Sequence, residues 1–315
     1  MSSGHPPRLP AALPVPGGLA AYVQALRTYS FTASVVPLLF GAALALRDPG
    51  GDTWALLPVV LLSGVLLHAG ANIVNDIADF DRGVDQGYEM EGSSGVLTRA
   101  VLPRSAVVRY AAGIFAVATG LGLVLVGLRG WPMLALGVAG LLGAAGYSGG
   151  PAAYKYVGLG DPLVAVLMGP LLVIAAQLAI EGRATWGAVA ASVPIAALVT
   201  AVIVANNLRD VTHDRETGVR TISTAVPWPA ARAEYAVLLI GAYVAVGVLV
   251  AAGTLPWPAL LPLGTLPLAI GQLRALAAAR PGIATDLRGL VPNTAKLHAA
   301  FGALLILGVV LGRLV

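Results

Sequence analysis

Long apolar runs constrain the fold of this chain more than any other feature of its sequence. The run LLPVVLLSGVLLHAGA, residues 56–71, is one of about nine such stretches separated by short polar segments. About 20 apolar residues span a bilayer as a helix, whereas barrel strands show short alternating segments of about ten. The chain is 57% hydrophobic and only 11% charged, against about 25% charged in soluble domains. It is therefore predicted to be an all-α polytopic membrane protein.

We predict about nine transmembrane helices. Their expected ranges are 28–46, 54–74, 106–127, 131–147, 161–181, 186–206, 233–253, 255–275 and 296–315. The eighth range carries several prolines and is expected to be kinked, because proline removes a backbone donor inside a helix. Residues 1–20 are rich in Pro and Gly and lack an apolar signal-peptide core. They are predicted to form a disordered cytoplasmic tail, with residues 21–315 as a single transmembrane domain.

The charged residues predict the orientation of the helices. Of the 19 basic residues, all but Arg47, Arg129, Arg183 and Arg313 fall on the side of the N-terminus. An excess of Lys and Arg marks the cytoplasmic face of a membrane. The N-terminus and the loops after the even-numbered helices are therefore predicted to face the cytoplasm, from a cell inner or plasma membrane. Bases placed in such loops argue against a nucleic-acid partner, and no protein partner is predicted.

Two acidic motifs follow apolar helices on this predicted cytoplasmic side. NIVNDIADFDRGVD spans residues 72–85, and NNLRDVTHDRETG spans residues 206–218. In each motif an asparagine and two aspartates share one helix face. They are Asn72, Asp76 and Asp79 in the first motif, and Asn206, Asp210 and Asp214 in the second. The motifs end the second and sixth predicted helices, which suggests two related four-helix halves (helices 1–4 and 5–8) plus a ninth helix.

The chemistry of these motifs predicts a magnesium–diphosphate site. Grouped carboxylates repel one another unless they are protonated, paired with bases or neutralised by a cation. Oxygen ligands suit Mg²⁺, which keeps several waters and joins one or two carboxylates to substrate phosphates. Arg27, Arg99, Lys155, Arg209 and Arg220 are the bases available to stabilise a diphosphate leaving group. A diphosphate beside an apolar bundle indicates a substrate with a polar head and a lipid tail.

Other interpretations stay open at this point. The acidic motifs are also compatible with solvated turns of a scaffold protein or with an ion-coupled transporter, although transport carboxylates usually lie at mid-membrane. Tyr147 begins YSGGP, which is either a phosphate-cradling turn or a flexible link. His68, His213 and His298 lack metal-ligand spacing, and the chain has no cysteine. Asp161 is predicted to cap the fifth helix.

The two motifs resemble the paired aspartate motifs of the UbiA superfamily of intramembrane prenyltransferases. The most similar subgroup is the 1,4-dihydroxy-2-naphthoate polyprenyltransferases of menaquinone biosynthesis. Their N-x-x-N-D-x-x-D…G-x-D pattern is matched by Asn72, Asn75, Asp76, Asp79, Gly83 and Asp85. The segments RTYSFTASVVPLLFGAALA and YSGGPAAYKYVGLGD are also similar to that subgroup, and the likeness covers most of the chain.

The resemblance implies a UbiA-type fold, with about nine helices around a central cavity that the polar motifs cap on the cytoplasmic side. It implies two Mg²⁺ ions bridged by the substrate diphosphate. Asp76 and Asp79 would serve one ion, and Asp210 and Asp214 the other. The residues expected to bind the diphosphate or the acceptor are Arg27, Asn72, Asn75, Asp85, Tyr147, Lys155, Asn206, Asn207, Arg209 and Arg220.

The implied reaction transfers a polyprenyl group from polyprenyl diphosphate to an aromatic acceptor. For this subgroup the acceptor is 1,4-dihydroxy-2-naphthoate, which loses carbon dioxide to give a demethylmenaquinone. Other superfamily acceptors, namely 4-hydroxybenzoate, homogentisate, a haem or a lipid headgroup, keep the same site.

Two positions depart from the superfamily pattern. Residues 218–221 read GVRT where the superfamily has G-K-x-T, so Arg220 is expected to replace the lysine. Extra carboxylates at Asp81 and Asp85 leave open which of Asp79, Asp81 and Asp85 contacts the metal.

Overall fold

The computed structural model describes residues 17–47, 53–85, 92–151 and 153–313. Helices dominate these ranges, which also contain an isolated β-bridge between Val157 and Arg220. The α-helices are α1 (Leu19–Ala25), α2 (Thr32–Leu44), α3 (Leu57–Asp81), α4 (Arg104–Arg129), α5 (Trp131–Gly146), α6 (Gly160–Val166), α7 (Leu172–Glu181), α8 (Trp186–Thr217), α9 (Ile222–Ala225), α10 (Trp228–Ala251), α11 (Leu266–Ala278) and α12 (Leu290–Leu311). The predicted all-α class is confirmed.

Seven helical segments of the described chain are long and apolar enough to cross a membrane. They are Trp54–Asp81, Arg104–Arg129, Gly160–Glu181, Trp186–Thr217, Trp228–Ala251, Trp257–Ala278 and Ala284–Leu311. The shorter apolar helices α2 and α5 have 13 and 16 residues. Each of the nine predicted ranges overlaps one of these nine segments, and the chain is an integral membrane protein.

Both acidic motifs are largely helical, and this shifts the predicted helix ends. The sequence predicts a second helix over 54–74, but α3 continues to Asp81. It predicts a sixth helix over 186–206, but α8 continues to Thr217. The motifs therefore extend the helices that carry them and hold their side chains on rigid backbone. Most of the predicted tail, residues 1–20, lies outside the described residues, and α1 begins at Leu19.

Two membrane segments are interrupted. The proline-rich eighth segment starts as a 3₁₀-helix, Trp257–Thr265, and becomes α-helical only at Leu266, which agrees with the predicted kink. Between α6 and α7 the backbone of Gly169 is non-helical (φ −101°, ψ −106°) next to Pro170. A proline inside a helix removes a hydrogen bond and clashes with the preceding turn, and the glycine absorbs the resulting bend.

The outer surface of the bundle is apolar, as contact with lipid requires. On α4 the side chains of Val117, Leu123 and Val124 are more than half exposed. Trp131 and Trp186, the first residues of α5 and α8, are also exposed. Tryptophan favours the membrane–water interface, so these two mark one edge of the hydrocarbon layer.

The helices of the interior touch closely where glycine removes the side chain. Gly41 on α2 faces the backbone of α7, and a Cβ atom added there would overlap the carbonyl oxygen of Val173. Backbone cannot yield as a flexible side chain can. The contact between α2 and α7 therefore depends on the missing methyl group.

We predict that Gly41→Ala lowers the thermal unfolding temperature of the purified protein. Forcing a methyl group into a packed helix contact costs about 1–3 kcal/mol. The matched control is Gly247→Ala on α10, where nothing lies within 4 Å of the added Cβ. Equal unfolding temperatures for the two variants, measured by intrinsic fluorescence in detergent, would contradict the close α2–α7 contact.

Candidate active site

A cavity of about 550 Å³ lies inside the bundle. On α3 the cavity-lining residues change from Gly64 and Leu67 to the polar Asn72, Asn75 and Asp79 along the chain. On α8 they change in the same direction, from Val199, Val202 and Ile203 to Asn206, Asn207 and Arg209. Glycines also line the wall from α5, at Gly140 and Gly143. The cavity is therefore polar at the end that carries the acidic motifs and apolar toward the membrane interior.

Asp76 binds the N-terminal segment to the first acidic motif. Its carboxylate forms an ion pair with Arg27 and accepts a hydrogen bond of 3.3 Å from the Ser94 amide. Arg27 has a left-handed backbone (φ 54°), which residues other than glycine seldom adopt and which often marks functional sites. Burial opposes the charge on Arg27, but Asp76, Tyr29 and Asp79 together outweigh it and raise the pKa of Arg27 above its usual value. Arg27 therefore stays charged.

Asp79 joins α3 to the loop after α5. Lys155 Nζ lies 2.7 Å from its Oδ2 and 2.9 Å from its Oδ1, and the Tyr156 hydroxyl donates to Oδ1 at 2.5 Å. Asn75 donates a further hydrogen bond from its side chain. Burial and the nearby Asp79 charge raise the pKa of Tyr156 above its usual value, so the hydroxyl keeps its proton and acts as a donor.

Arg209 organises the second acidic motif. Its Nε and Nη2 lie 2.8 and 2.7 Å from the two Asp210 oxygens, and Nη2 also lies 2.7 Å from Asn206 Oδ1. Asp214 is buried, and its carboxylate has no hydrogen bond or salt bridge within the described ranges. Asn206, Asn207 and Arg209 line the cavity, whereas Asp76, Asp210 and Asp214 do not. Behind the wall, Asp76 and Asp210 hold Arg27 and Arg209, which form part of it.

The structure separates the two carboxylates that the sequence left in question. Asp81 is paired with Arg104 on the surface, at 2.5 Å. Asp85 is buried at 5% exposure, lines the cavity and accepts a hydrogen bond of 3.0 Å from Ser93. Burial, followed by the charges of Asp79 and Asp76, raises the pKa of Asp85 to about 6. Asp85 therefore belongs to the site, and Asp81 lies outside it.

Four other residues from the sequence analysis lie in or around the second motif. Tyr147 and Asn207 line the cavity, and Asn207 donates to the buried Asp161 at 2.8 Å. The prediction that Asp161 caps a helix was wrong: Leu159 is the N-cap of α6, without a side-chain cap, and Asp161 instead fixes the Asn207 amide. Arg220 is exposed and does not line the cavity.

Sequence reasoning missed two groups at the site. Tyr156 reaches Asp79 from a turn, and no motif spacing marks it, although it adjoins Lys155. Ser30 connects two polar groups in the cavity wall: it accepts a hydrogen bond of 3.0 Å from Asn72 and lies 3.5 Å from His68. These contacts join segments far apart in sequence, so spacing alone does not reveal them.

The side chains at the polar end fit a hard divalent cation. Arg27, Lys155 and Arg209 are each paired with an aspartate, which leaves Asp85 and Asp214 without a basic partner in the described chain. The acidic side chains here offer carboxylate oxygens as metal ligands, and Mg²⁺ prefers oxygen ligands. No cluster of three or more His, Asp or Glu able to hold a metal occurs among the described residues. A cation held here would take part of its coordination from water or substrate.

Comparisons with known proteins identify the family. A sequence model of the UbiA prenyltransferase family matches residues 34–284. UbiA prenyltransferase domain-containing protein 1 of Gallus gallus is 30% identical over 296 residues, 93% of this chain and 85% of that protein. Its Homo sapiens counterpart is 30% identical over 298 residues, 93% of this chain and 84% of that protein. The chain belongs to the UbiA prenyltransferase family.

Solved structures share the fold at low sequence identity. The UbiA homolog from Archaeoglobus fulgidus bound to DMAPP and Mg²⁺ has a TM-score of 0.60 and 16% identity, over 90% of this chain and 99% of that one. The apo UbiA homolog from Aeropyrum pernix K1 also gives 0.60 and 16%, over 91% and 98%. The predicted UbiA-type fold is confirmed.

We predict that Asp85→Asn stabilises the protein much more at pH 8 than at pH 4.5 in buffer containing EDTA. Because folding raises the pKa of Asp85 to about 6, the folded state holds the proton more tightly, and stability falls as pH rises from the ordinary aspartate value to about 6. An asparagine carries no charge to bury, so the variant escapes this loss.

Unfolding temperatures of wild type and variant at the two pH values measure this effect. Asp81→Asn, which alters an exposed carboxylate on the same motif, is the matched control and should give no gain at pH 8. A stabilisation by Asp85→Asn of equal size at both pH values would contradict the shifted pKa.

Proposed function

We propose that this protein catalyses Mg²⁺-dependent transfer of a polyprenyl group from polyprenyl diphosphate to an aromatic acceptor. The observation that carries the proposal is the cavity itself: carboxylates paired with bases at one end, and an apolar wall beyond them. A diphosphate matches the polar end and a prenyl chain matches the apolar wall. Family membership supports the same reaction class.

Magnesium is proposed as the cofactor, with two ions bridged by the diphosphate. The oxygen-only donors support it, and the Archaeoglobus fulgidus homolog was solved with DMAPP or GPP and Mg²⁺. Asp76 and Asp79 would hold one ion, and Asp210 and Asp214 the other. Asp85 is a further candidate, because it is buried, lines the cavity and has no basic partner in the described chain. Bound Mg²⁺ would neutralise the diphosphate oxygens and stabilise them as a leaving group.

The bases of the site are proposed to hold the diphosphate. Arg27 and Lys155 line the cavity and are anchored by Asp76 and Asp79. Anchored donors stabilise charge that develops on a leaving group, because they need no reorganisation during the reaction. Arg209, Asn72, Asn75, Asn206, Asn207 and Tyr147 supply further polar groups to the wall. Arg220 remains a proposed contact only as the counterpart of the family lysine.

The apolar wall is proposed to protect the reactive intermediate. Departure of diphosphate leaves an allylic cation on the prenyl chain, and water would capture it. Leu67, Leu171 and Val199 line the apolar part of the cavity, where they exclude water and orient the chain toward the acceptor ring. The ring carbon then attacks the cation and forms the new carbon–carbon bond.

The acceptor we propose is 1,4-dihydroxy-2-naphthoate. Its carboxylate leaves the attacked ring carbon as carbon dioxide, which gives a demethylmenaquinol, the reduced form of demethylmenaquinone, in a step of menaquinone biosynthesis. The proposal rests on the motif likeness described above, since the names of the vertebrate relatives specify no acceptor. 4-Hydroxybenzoate, homogentisate, haem and lipid headgroups are the competing acceptors. We also propose that the N-terminus and the acidic motifs face the cytoplasm, because the basic residues concentrate there.

A single assay tests the reaction. Purified protein is incubated with Mg²⁺, a polyprenyl diphosphate and each acceptor in turn, and the products are read by mass spectrometry. We expect prenylated, decarboxylated product from the naphthoate and none with EDTA. Product from another acceptor alone would reassign the acceptor, and no product from any would overturn the proposed function.

We predict that Asp76→Ala and Asp210→Ala each lower diphosphate release by at least about 100-fold, the usual scale for losing one preorganised electrostatic group. Asp81→Ala is the matched control from the first motif, because Asp81 is paired with Arg104 away from the cavity. It should keep near-normal turnover. Normal turnover of both Ala variants at buried aspartates would rule out the assigned site.

A further inference from the structure

His298 is a buried histidine in the cavity wall to which the proposed reaction gives no role. It lies on α12, on the face where Val291, Pro292 and Ala295 also line the cavity. Its side chain is 1% exposed, and its Nε2 atom has no hydrogen-bond partner in the described part of the chain. Leaving a buried polar nitrogen unpaired is costly. Such a group in a binding cavity points to a ligand that supplies the missing partner.

The second histidine of the cavity shows the contrast. His68 also lines the wall, but Ser34 Oγ lies 3.1 Å from its Nδ1 and Ser30 Oγ lies 3.5 Å from its Nε2. The protein itself thus supplies a hydrogen-bond partner to each ring nitrogen of His68. Around His298 the cavity-lining residues of α12 are apolar, and the helix offers no comparable partner within the described chain.

The position of α12 determines how far His298 lies from the charged end of the cavity. The segment before α12 lies beside the second acidic motif, because Thr212 donates to the Gly282 carbonyl at 3.0 Å. From Leu290, where α12 begins, His298 is about 12 Å along the helix at 1.5 Å per residue. It therefore lies below the charged end, at a level where the wall has become apolar.

At that depth few substrate groups can pair with an imidazole. A prenyl chain has no polar atoms, and the diphosphate belongs with Arg27 and Lys155 at the charged end. The aromatic acceptor, in contrast, carries ring oxygens that must enter the cavity to place the ring beside the prenyl cation. A neutral imidazole has one donor and one acceptor nitrogen, which match a phenolic hydroxyl.

We propose that His298 binds a ring oxygen of the aromatic acceptor by a hydrogen bond and so orients the ring for attack. The proposal rests on the proposed function, because it takes the acceptor to be a hydroxylated aromatic molecule. His298 is then a residue that determines acceptor specificity, on a helix that carries neither acidic motif.

The test measures binding of two probes by calorimetry to the full-length protein in detergent. The probes are 1,4-dihydroxy-2-naphthoate and 2-naphthoate, which lacks both ring hydroxyls. Wild type should bind the dihydroxy compound about tenfold more tightly, the usual scale of one hydrogen bond. His298→Phe should abolish this preference and leave binding of 2-naphthoate unchanged, while His298→Gln should restore part of it.

Tyr235→Phe is the matched control. Its hydroxyl lies 2.7 Å from Thr294 on α12, so the variant removes one hydrogen bond from the same helix at a residue that does not line the cavity. It should keep the tenfold preference. In turnover assays His298→Phe should raise the KM for the acceptor about tenfold and leave the KM for prenyl diphosphate unchanged.

The outcomes separate the two proposals. A wild type without preference for the hydroxylated probe, or a His298→Phe variant that keeps the preference, would overturn the role of His298. So would an equal loss of affinity for both probes, which indicates a structural role. If wild type shows the His298-dependent preference but transfers no prenyl group, the binding role stands and the proposed function falls.

Discussion

Burial of carboxylates at the ends of apolar helices is the constraint on which the rest of this structure depends. Removing a carboxylate from water is costly unless a base, hydrogen-bond donors or a cation accompanies it, or it takes up a proton. Asp76 and Asp79, on one face of α3, obtain Arg27 and Lys155 from segments far away in the sequence. These ion pairs hold the N-terminal segment and the loop after α5 against α3, beside the cavity. The fold and the polar end of the site are therefore stabilised by the same contacts.

This arrangement also explains why the acidic residues lie in two layers. Asp79 and Asp85 reach the cavity, whereas Asp76 and Asp210 lie behind Arg27 and Arg209 and hold them in place. On the proposed function, an incoming diphosphate meets bases whose positions are already set. The ordering of these side chains takes place during folding, so it does not have to accompany each binding event.

Much of this could be predicted from the sequence, because it depends on periodicity and local spacing. The apolar runs predict the helices, and the i, i+4 spacing of Asn72 and Asp76 predicts a shared face. The partners of those side chains could not be predicted in the same way. Asp81 pairs with Arg104, whereas Asp85 lines the cavity. This difference depends on how the chain bends after α3. The Asp161–Asn207 contact likewise joins residues 46 positions apart, and no local rule indicates it.

Two glycines in the cavity wall, Gly140 and Gly143, leave different amounts of space for a larger side chain. A methyl group added at Gly143 would meet Leu167 at 2.5 Å, whereas one added at Gly140 would meet Leu67 and Leu171 at 3.6 Å, an ordinary contact distance. At Gly143 the Leu167 side chain would have to move, whereas at Gly140 the added methyl group fits without a shift. On the proposed function, a methyl group at residue 140 would narrow the cavity that holds the prenyl chain without a steric clash, whereas one at residue 143 would first have to displace Leu167.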